Sequence, residues 1–528
     1  MAKGKREIFE IVDNVYELLS YSSQRYPSTV ALIFGSKKIS YSQLKKNVDT
    51  VASFLINLGI KKGEKVCLWV HNCPEFVYFY FAILKIGAVV VPINVMFKQE
   101  EAKFIVDNSS GKVLVVSIDK LDEALNINLR VDTLKHIIVL SKKVNLEGVI
   151  SLDEVMNTSI KEIPVKVKRH DIAAILYTSG TTGFPKGAML SHYNLISNTR
   201  DSCRAITVSR RDCFICILPL FHSFASLVCM ILPLSRGAKI VIMRSLKPFK
   251  RVIRAIFKHR VTIFVGVPPL YNVLSNIKLP WFLPPFLLRL INPVRLCISG
   301  AAPLSVEVLQ NFEKKFRIPL LEGYGLTEAS PVVSLNPLKG KRKPGSVGLP
   351  YPTIQAKIVD SEGRELPAGK EGELIIKGPN VMVGYFNLPK ETRETLRNGW
   401  LHTGDLAKID EEGYIYIIGR IKDMILVRGF NVYPREIEEV LYKHSDVKEA
   451  AVVGVPHPSK GEVPVGFVVL KENASVSQRA LILYLRERLA SYKVPVRIII
   501  KDSLPKNPTG KILKRQLREE VKDLFSSK

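Results

Sequence analysis

The chain has 528 residues, of which 47% are apolar and 24% are charged. This length is enough for two or more domains with cores of their own, and the near-average composition excludes wholesale disorder and a collagen-like fibre. The net charge of +28 would suit an anionic partner, either nucleic acid or a membrane surface. The positions of the Lys and Arg residues along the chain are needed to choose between these two partners.

The N-terminal residues are basic at first but do not form a signal peptide. Glu7, Glu10 and Asp13 stand where a signal peptide needs an uninterrupted apolar stretch. The sequence also has no run of about 18 uncharged apolar residues, the length that a transmembrane helix requires. We therefore expect a cytoplasmic protein, with peripheral contact to the inner face of the membrane as a further expectation.

Four short apolar runs in the first 140 residues predict buried strands. They are VCLWV at 67–71, AVVVPI at 88–93, KVLVVS at 112–117 and HIIVL at 136–140, and each is followed by enough residues for a helix. Strands that alternate with helix-length segments are typical of an α/β fold with a doubly wound parallel sheet.

The segment AAILYTSGTTGFPKGAML, residues 173–190, predicts a strand that leads into a phosphate-binding loop. Glycines let backbone N–H groups approach an anion, hydroxyls add donors, and Lys186 supplies a compact positive charge. The loop is not a Walker A motif, because Pro185 precedes the lysine and Gly187 follows it. The candidate phosphate ligands are Thr178, Ser179, Gly180, Thr181, Thr182, Gly183 and Lys186.

The middle of the chain is basic and partly apolar. Residues 213–306 contain no Asp or Glu, whereas Lys and Arg recur throughout, and residues 278–293 read KLPWFLPPFLLRLINP with Trp281, Phe282 and Phe286. Cations that flank Trp, Phe and Leu are typical of a membrane-surface element. We expect residues 236–296 to contact an anionic membrane, with no specific nucleic-acid partner; the alternative is a core segment beneath a solvated basic face.

The same region holds Cys213 and Cys216 in one CxxC pair. No second Cys or His pair stands at zinc-site spacing, and the surrounding run DCFICILPL predicts a buried strand. The thiols are expected to lie in the core.

The pattern of predicted strands and helices changes near residue 420, which indicates a domain boundary. The sequence LAKIDEEGYIYIIGR predicts a hairpin between Asp405 and Arg420, and NVYPREIEEVLYKH then predicts a helix with Pro434 in its first turn. Strands AAVVGVP and GFVVLKE, a helix at SQRALILYLRERLA and a basic tail complete a small α+β module. The predicted domains are residues 1–419 and 423–528.

Together these segments resemble the motifs of the adenylate-forming enzymes, the superfamily of acyl-CoA synthetases, peptide-synthetase adenylation domains and firefly luciferase. The resemblance covers nearly the whole chain. It implies a large N-terminal domain of doubly wound parallel sheets with a β-barrel-like part, and a small mobile C-terminal domain joined by a hinge at 420–422. Besides the phosphate loop it is carried by SGAAPL at 299–304, GYGLTEASP at 323–331, WLHTGDLA at 400–407, GRIKDMILVRGFNVYPREIE at 419–438 and PKNPTGKILK at 505–514.

The resemblance implies an ATP site with Mg²⁺. Thr327 would donate to the α-phosphate, Glu328 would hold Mg²⁺ together with Thr182, and Asp405 would accept the ribose hydroxyls with Arg420 nearby. Lys422 corresponds to the hinge residue. The residues implied for the adenine pocket are Gly300, Ala301, Ala302, Gly323, Tyr324 and Gly325.

Two further residues are implied as catalytic. Lys511 follows a turn in NPTGK and would stabilise the charge that builds during adenylation, then leave as the small domain rotates. His222 in PLFHSFAS would contact ATP or the acyl group; the alternative is a structural histidine in an apolar run.

The acyl pocket implied by the resemblance is lined by small or apolar residues, which favours a hydrocarbon tail and a long-chain fatty acyl-CoA synthetase. Ser226 stands where some long-chain enzymes carry a gating tryptophan. Coenzyme A is the expected acceptor, an acyl carrier protein is the alternative, and a non-catalytic membrane-binding paralogue is the alternative from another class; a homodimer is left open. The pocket residues are Phe224, Val228, Gly266, Val267 and Ser330, and those for coenzyme A are Arg428, Gly429 and Phe430.

Overall fold

The described residues of the computed structural model form four β-sheets connected by helices. The structure describes residues 7–142, 144, 146–178, 185–246, 248–277, 291–428, 430–457, 460–507 and 510–522. The strands are β1 Val30–Phe34, β2 Lys37–Ser40, β3 Lys65–Trp69, β4 Val89–Pro92, β5 Gly111–Val116, β6 His136–Val139, β7 Val149–Ser151, β8 Ile172–Thr178, β9 Lys186–Ser191, β10 Cys213–Cys216, β11 Lys239–Ile242, β12 Ile263–Gly266, β13 Leu296–Ser299, β14 Leu320–Gly325, β15 Val332–Leu335, β16 Leu349–Pro350, β17 Gln355–Val359, β18 Gly372–Lys377, β19 Gly384–Tyr385, β20 Leu396–Arg397, β21 Trp400–Ile409, β22 Ile415–Arg420, β23 Ile425–Val427, β24 Phe430–Val432, β25 Val447–His457, β26 Gly461–Leu470 and β27 Arg497–Ile500.

The described α-helices include several whose ends the sequence signals directly. Ser191 caps the helix that follows β9 by a reciprocal capping box with Asn194, and Pro434 starts its helix in the first turn, as predicted. The helices are Ile8–Ile11, Val15–Arg25, Tyr41–Asn57, Pro74–Lys85, Gln99–Asn108, Leu121–Asn128, Leu152–Met156, His192–Ile206, Ser223–Ala225, Leu232–Ser235, Phe249–His259, Pro268–Asn276, Val306–Phe316, Pro389–Thr395, Pro434–Tyr442, Gln478–Arg486 and Lys514–Val521.

An eight-stranded sheet has the order β19-β9-β8-β4-β3-β5-β6-β7, and it is parallel from β8 to β7. The four predicted strands form β3 to β6. Alternate residues of β3 belong to different apolar clusters: Val66 and Leu68 lie in one, Cys67 and Trp69 in the other. Both faces of this sheet are therefore covered, which is why its strands read as continuous apolar runs.

A nine-stranded sheet has the order β16-β15-β14-β13-β12-β10-β11-β1-β2. Its strands β1 and β10 to β14 are parallel, and the largest apolar cluster joins this sheet, the helices around Tyr41–Asn57 and Pro74–Lys85, and one face of the eight-stranded sheet. The predicted doubly wound α/β fold is confirmed. Cys213 and Cys216 are buried in β10, as expected.

A five-stranded antiparallel sheet of β17, β18, β20, β21 and β22 follows. The predicted hairpin is confirmed as β21 and β22, whose register sets Asp405 opposite Arg420. This pairing places two predicted site residues next to each other.

The C-terminal residues form a five-stranded sheet of their own, in the order β24-β23-β26-β25 with β27 beside β26. Val452 and Val453 of β25 face separate apolar clusters, so helices cover this small sheet on both sides. Within the described ranges, no helix is both long and apolar enough to cross a membrane.

Candidate active site

The candidate site is built mainly from loops at the carboxyl ends of parallel strands in the nine-stranded sheet. His222 follows β10, Val267 follows β12, Gly300 follows β13 and Thr327 follows β14. Since the carboxyl ends of parallel strands share one edge of a sheet, residues far apart in the sequence meet there.

The phosphate loop joins two antiparallel strands, with Thr178 of β8 opposite Lys186 of β9. Ser179, Gly180, Thr181, Thr182 and Gly183 lie outside the described residues. Lys186 is half-buried, and its Nζ lies 5.4 Å from the centre of the Tyr385 ring. The lysine therefore stands at the end of the loop with an aromatic ring beneath it.

Asp405 is held from two sides. Arg420 Nε lies 2.7 Å from Asp405 Oδ1, and the Tyr324 hydroxyl donates to Asp405 Oδ2. Only 3% of Asp405 is exposed, so both partners fix the carboxylate in one orientation. Burial, followed by the charge of Asp405, raises the pKa of Tyr324 well above its usual range, so this phenol stays a donor. Such a fixed carboxylate can accept hydrogen bonds from a pair of ribose hydroxyls.

Thr327 and Glu328 lie in a single 3₁₀ turn that follows β14. Thr327 Oγ1 is 3.2 Å from Ser223 Oγ, and Glu328 Oε1 accepts a hydrogen bond from the Tyr385 hydroxyl at 2.8 Å. A half-buried carboxylate with a second oxygen is a suitable hard ligand for Mg²⁺. Thr182, the other metal ligand suggested by the sequence, is not among the described residues.

Gly300 lies in the loop after β13, close to Phe224, one of the residues predicted for the acyl pocket. A Cβ added there would lie 3.0 Å from Phe224 Cζ, and Gly300 N donates to Gly266 O at 3.4 Å. A side chain at this position would therefore crowd the Phe224 ring, which would have to shift by a few tenths of an ångström. Ala301 and Ala302 continue this loop, and Gly323, Tyr324 and Gly325 end β14 beside it.

His222 caps the short helix Ser223–Ala225, where its Nδ1 accepts the N–H of Phe224 at 3.3 Å. Burial, followed by the positive charge of Lys511, lowers the pKa of His222 to about 4. The imidazole is therefore neutral near pH 7 and can make hydrogen bonds without adding charge.

Lys511 reaches the same cleft from the small domain. The preceding Gly510 has φ +79°, and a Cβ there would lie 3.5 Å from Val267 Cγ2, so the lysine turn packs on the large domain. Lys511 is exposed to water, but the surrounding protein partly desolvates its ammonium group. This desolvation, followed by the positive charge of Arg420, lowers the pKa of Lys511. Its charge therefore interacts with Asp405, Arg420 and His222.

Two neighbouring lysines of the tail differ from Lys511 because they are paired. Lys506 lies 2.5 Å from Glu449, and Lys514 lies 2.6 Å from Glu438. Lys511 makes no ion pair within 4 Å with any residue in the described ranges. The turn thus presents one lysine whose charge is available for a ligand.

The predicted acyl residues are all small, apolar or buried. Val228 and Val267 belong to the main core, Phe224 packs against it, and Ser330 is fully buried. The carbonyl of Gly266 accepts the N–H of Gly300, the residue that lies against Phe224. Ser226, at the position of a gating tryptophan in some relatives, is buried and donates to Ser223 O.

Two of the residues suggested for coenzyme A, Arg428 and Phe430, lie on the hairpin β23–β24 of the small domain. Arg428 and Phe430 are exposed, and the Phe430 ring stacks on Tyr492 with centroids 4.8 Å apart. Gly429 falls in a gap between the described ranges. Leu426 on the same hairpin is also exposed.

Two residues of the site had no individual signal in the sequence. Tyr385 contacts both Lys186 and Glu328, and Ser223 contacts Thr327. The dipeptide Gly384–Tyr385 stands in the apolar stretch VMVGYFNL, which carries no site pattern of its own, so only the pairing of β19 with β9 reveals its place.

Comparison with known proteins gives consistent matches over nearly the full length. The AMP-binding enzyme family matches residues 19–386, and the AMP-binding enzyme C-terminal domain matches residues 436–511. A curated protein named long-chain-fatty-acid–CoA ligase from Bacillus subtilis is 36% identical, over 95% of this chain and 94% of its own length.

Two solved structures of one protein, MatB from Rhodopseudomonas palustris, are informative as a pair. Each is 33% identical and covers 97% of this chain and 100% of its own. The ATP-bound structure has a TM-score of 0.89, whereas the apo structure has a TM-score of 0.76. The present arrangement of the chain is therefore more similar to the ATP-bound form.

Proposed function

Because the chain belongs to the AMP-binding enzyme family, we propose that it activates a long-chain fatty acid with ATP and transfers the acyl group to coenzyme A. The observation that carries the proposal is that the turn of Lys511 packs on Val267 of the large domain, where the lysine interacts electrostatically with Asp405, Arg420 and His222. These residues come from both domains, and two of them, Lys511 and Arg420, supply positive charge for an anionic nucleotide.

In the first step a carboxylate oxygen of the acid attacks the α-phosphorus of ATP, and the bond to pyrophosphate breaks. Asp405 holds the ribose, the turn of Thr327 binds the α-phosphate, and Lys186 and Lys511 offset the repulsion between the carboxylate and the phosphates. Neutral His222 hydrogen-bonds the acyl carboxylate or a phosphate. Mg²⁺, when bound, would be held by Glu328 and would neutralise phosphate charge.

In the second step a thiolate attacks the acyl carbonyl and AMP leaves. We propose that residues 423–528 rotate about residues 420–422 between the steps, so that the thiol approaches where Lys511 stood. Lys422 lies in the 3₁₀ turn Ile421–Asp423 directly after β22, a position where a small torsional change moves all that follows. Arg428, Gly429 and Phe430 would then meet coenzyme A.

The acyl group is proposed to be a long hydrocarbon. Phe224, Val228, Gly266, Val267 and Ser330 include no charged group that could pair with an amino-acid substrate. The Bacillus subtilis relative is named for long-chain fatty acids, which supports the same substrate class.

Release of pyrophosphate with ATP, Mg²⁺ and palmitate should be detected, and palmitoyl-CoA should be identified by mass after coenzyme A is added. A panel of C6 to C18 acids should show preference for long chains. If product formed only with acyl carrier protein, that protein and not coenzyme A would be the acceptor. If no acid gave pyrophosphate release, the enzyme proposal would be contradicted in favour of a non-catalytic paralogue.

We further propose that the basic segment 236–296 docks on an anionic membrane. Trp281, Phe282 and Phe286 lie outside the described residues, so the proposal rests on the helix Phe249–His259. Its outer face exposes Ile253 and Phe257. The cations around them, which make no ion pair within 4 Å with a described residue, are Lys250, Arg251, Arg254, Lys258 and Arg260.

Sedimentation with phosphatidylglycerol vesicles checks this membrane contact. Each cation near an anionic surface contributes about 1 kcal/mol, so replacing Lys250, Arg254 and Lys258 by Gln should weaken binding ~100-fold. Ile253→Ser with Phe257→Ser should weaken it further, while Leu129→Ser, at an exposed leucine elsewhere, should have no effect. Vesicle binding that is insensitive to salt and to these changes would contradict the proposal. The homodimer stays a prediction.

A further inference from the structure

Residues 380–386, here called the crossing segment, connect two parts of the candidate site. One part is the turn with the carboxylate of Glu328, and the other is the strand that begins at the cationic Lys186. Asn380 Nδ2 donates to Ala329 O and Met382 N donates to Glu328 O, each at 2.8 Å. Further along, Val383 N donates to Met189 O and Phe386 N to Gly187 O, at 2.9 and 2.8 Å. The segment therefore ties the turn of Glu328 to strand β9, which begins at Lys186.

Tyr385 is the side chain in this segment that touches both charged groups. Its hydroxyl donates to Glu328 Oε1 at 2.8 Å, and its ring centre lies 5.4 Å from Lys186 Nζ. Lys186 and Glu328 form no ion pair with each other within 4 Å. The aromatic ring thus satisfies the ammonium by a cation–π contact while the hydroxyl satisfies one oxygen of the carboxylate.

We propose that Tyr385 is a positioning residue, which keeps Lys186 and Glu328 apart and oriented so that one binds phosphate and the other binds the metal of Mg·ATP. The inference rests on the proposed function, because it assigns a role within the same nucleotide site.

The physical reason is charge cancellation. A lysine and a carboxylate that are free to approach would pair, and each would lose strength toward a ligand of opposite charge. Tyr385 is 9% exposed, and its phenolic O–H is the donor in the hydrogen bond to Glu328 Oε1. Glu328 keeps its second oxygen for the metal.

The backbone fixes the tyrosine itself. Tyr385 is opposite Ala188 in the β9–β19 pairing, and its N–H donates to Thr392 Oγ1 at 2.9 Å. Its ring position is therefore set by strand register and not by the ligand.

The test is direct binding of ATP to the full chain by calorimetry, with excess Mg²⁺ or with EDTA, and without acid or thiol. Tyr385→Phe removes only the hydroxyl and should weaken Mg·ATP binding about tenfold, as for a lost hydrogen bond to a charged group, with ATP binding in EDTA unchanged. Tyr385→Leu also removes the ring and should weaken binding in EDTA as well.

Tyr351→Phe is the matched control, since Tyr351 is buried and its hydroxyl bonds Ser202 Oγ at 3.2 Å. It should leave both affinities unchanged, and thermal unfolding of the two Phe variants reports whether either fold is damaged. In a Glu328→Gln background, Tyr385→Phe should change Mg·ATP affinity less than twofold, because the two residues act as one unit.

The inference would be overturned if Tyr385→Phe lost ATP affinity equally in Mg²⁺ and in EDTA, or lost none in either. It would also be overturned if Tyr385→Phe lost as much Mg·ATP affinity in the Glu328→Gln background as in the wild-type chain. Because the assay contains no fatty acid, a wild-type chain that binds Mg·ATP but activates no acid would refute the proposed substrate and leave the role of Tyr385 standing.

Discussion

Lys511→Ala is expected to reduce adenylation by about 100- to 1,000-fold while thioester formation from supplied acyl adenylate largely survives. Loss of one preorganised group that stabilises transition-state charge costs ~2.7–4 kcal/mol in other enzymes. Lys511 makes no ion pair with a described residue and faces Asp405, Arg420 and His222, so its charge is available for the nucleotide and the acid. Pyrophosphate release and thioester formation are measured separately.

Lys514→Ala is the control for this experiment. Lys514 lies three residues further along and is paired with Glu438 at 2.6 Å, so its loss should leave the adenylation rate within about twofold. If Lys511→Ala reduced both half-reactions equally, the proposed rotation of the small domain between the steps would be wrong. If both lysine variants behaved alike, Lys511 would be an ordinary member of the basic tail.

The second large effect is expected at Asp405. Asp405→Asn keeps the shape of the side chain but removes the negative charge that Arg420 and Tyr324 hold in place. Hydrogen bonds to charged groups contribute about 1.5–3 kcal/mol, so the change should lower kcat/KM for ATP by about 10- to 100-fold. Steady-state kinetics with ATP varied at saturating fatty acid measure this loss.

Asp360→Asn provides the comparison, because Asp360 also accepts an arginine, Arg364 Nε at 2.7 Å, but in a surface turn. This variant should retain its kcat/KM for ATP. An Asp405→Asn enzyme with wild-type kinetics toward ATP would contradict the assignment of Asp405 to the ribose.

Much of the fold could be predicted from local patterns. The runs that form β3 to β6 are apolar and β-branched, the EEG turn marks the β21–β22 hairpin, and Pro434 marks the start of a helix. These features depend on residues within a few positions of one another, where spacing and backbone preference are sufficient. The motif residues Lys186, Thr327, Glu328, Asp405 and Lys511 could be singled out for the same reason: each stands in a short, distinctive stretch.

The contacts between those stretches could not be predicted in the same way. Tyr385 and Glu328 are 57 residues apart, Ser223 and Thr327 are 104 apart, and Tyr324 and Asp405 are 81 apart. Such pairs depend on strand register and on which loops share a sheet edge, and no local pattern encodes either.

The sequence by itself was therefore sufficient to predict the kind of chemistry: a phosphate loop, a carboxylate for the metal, a carboxylate for the ribose and a lysine on a second domain. Only the tertiary structure decided that Lys506 and Lys514 are paired while Lys511 faces the cleft, and that Tyr385 stands between Lys186 and Glu328. The reason is physical: residue type sets what a group can bind, but the availability of its charge depends on which neighbours the fold brings within a few ångströms.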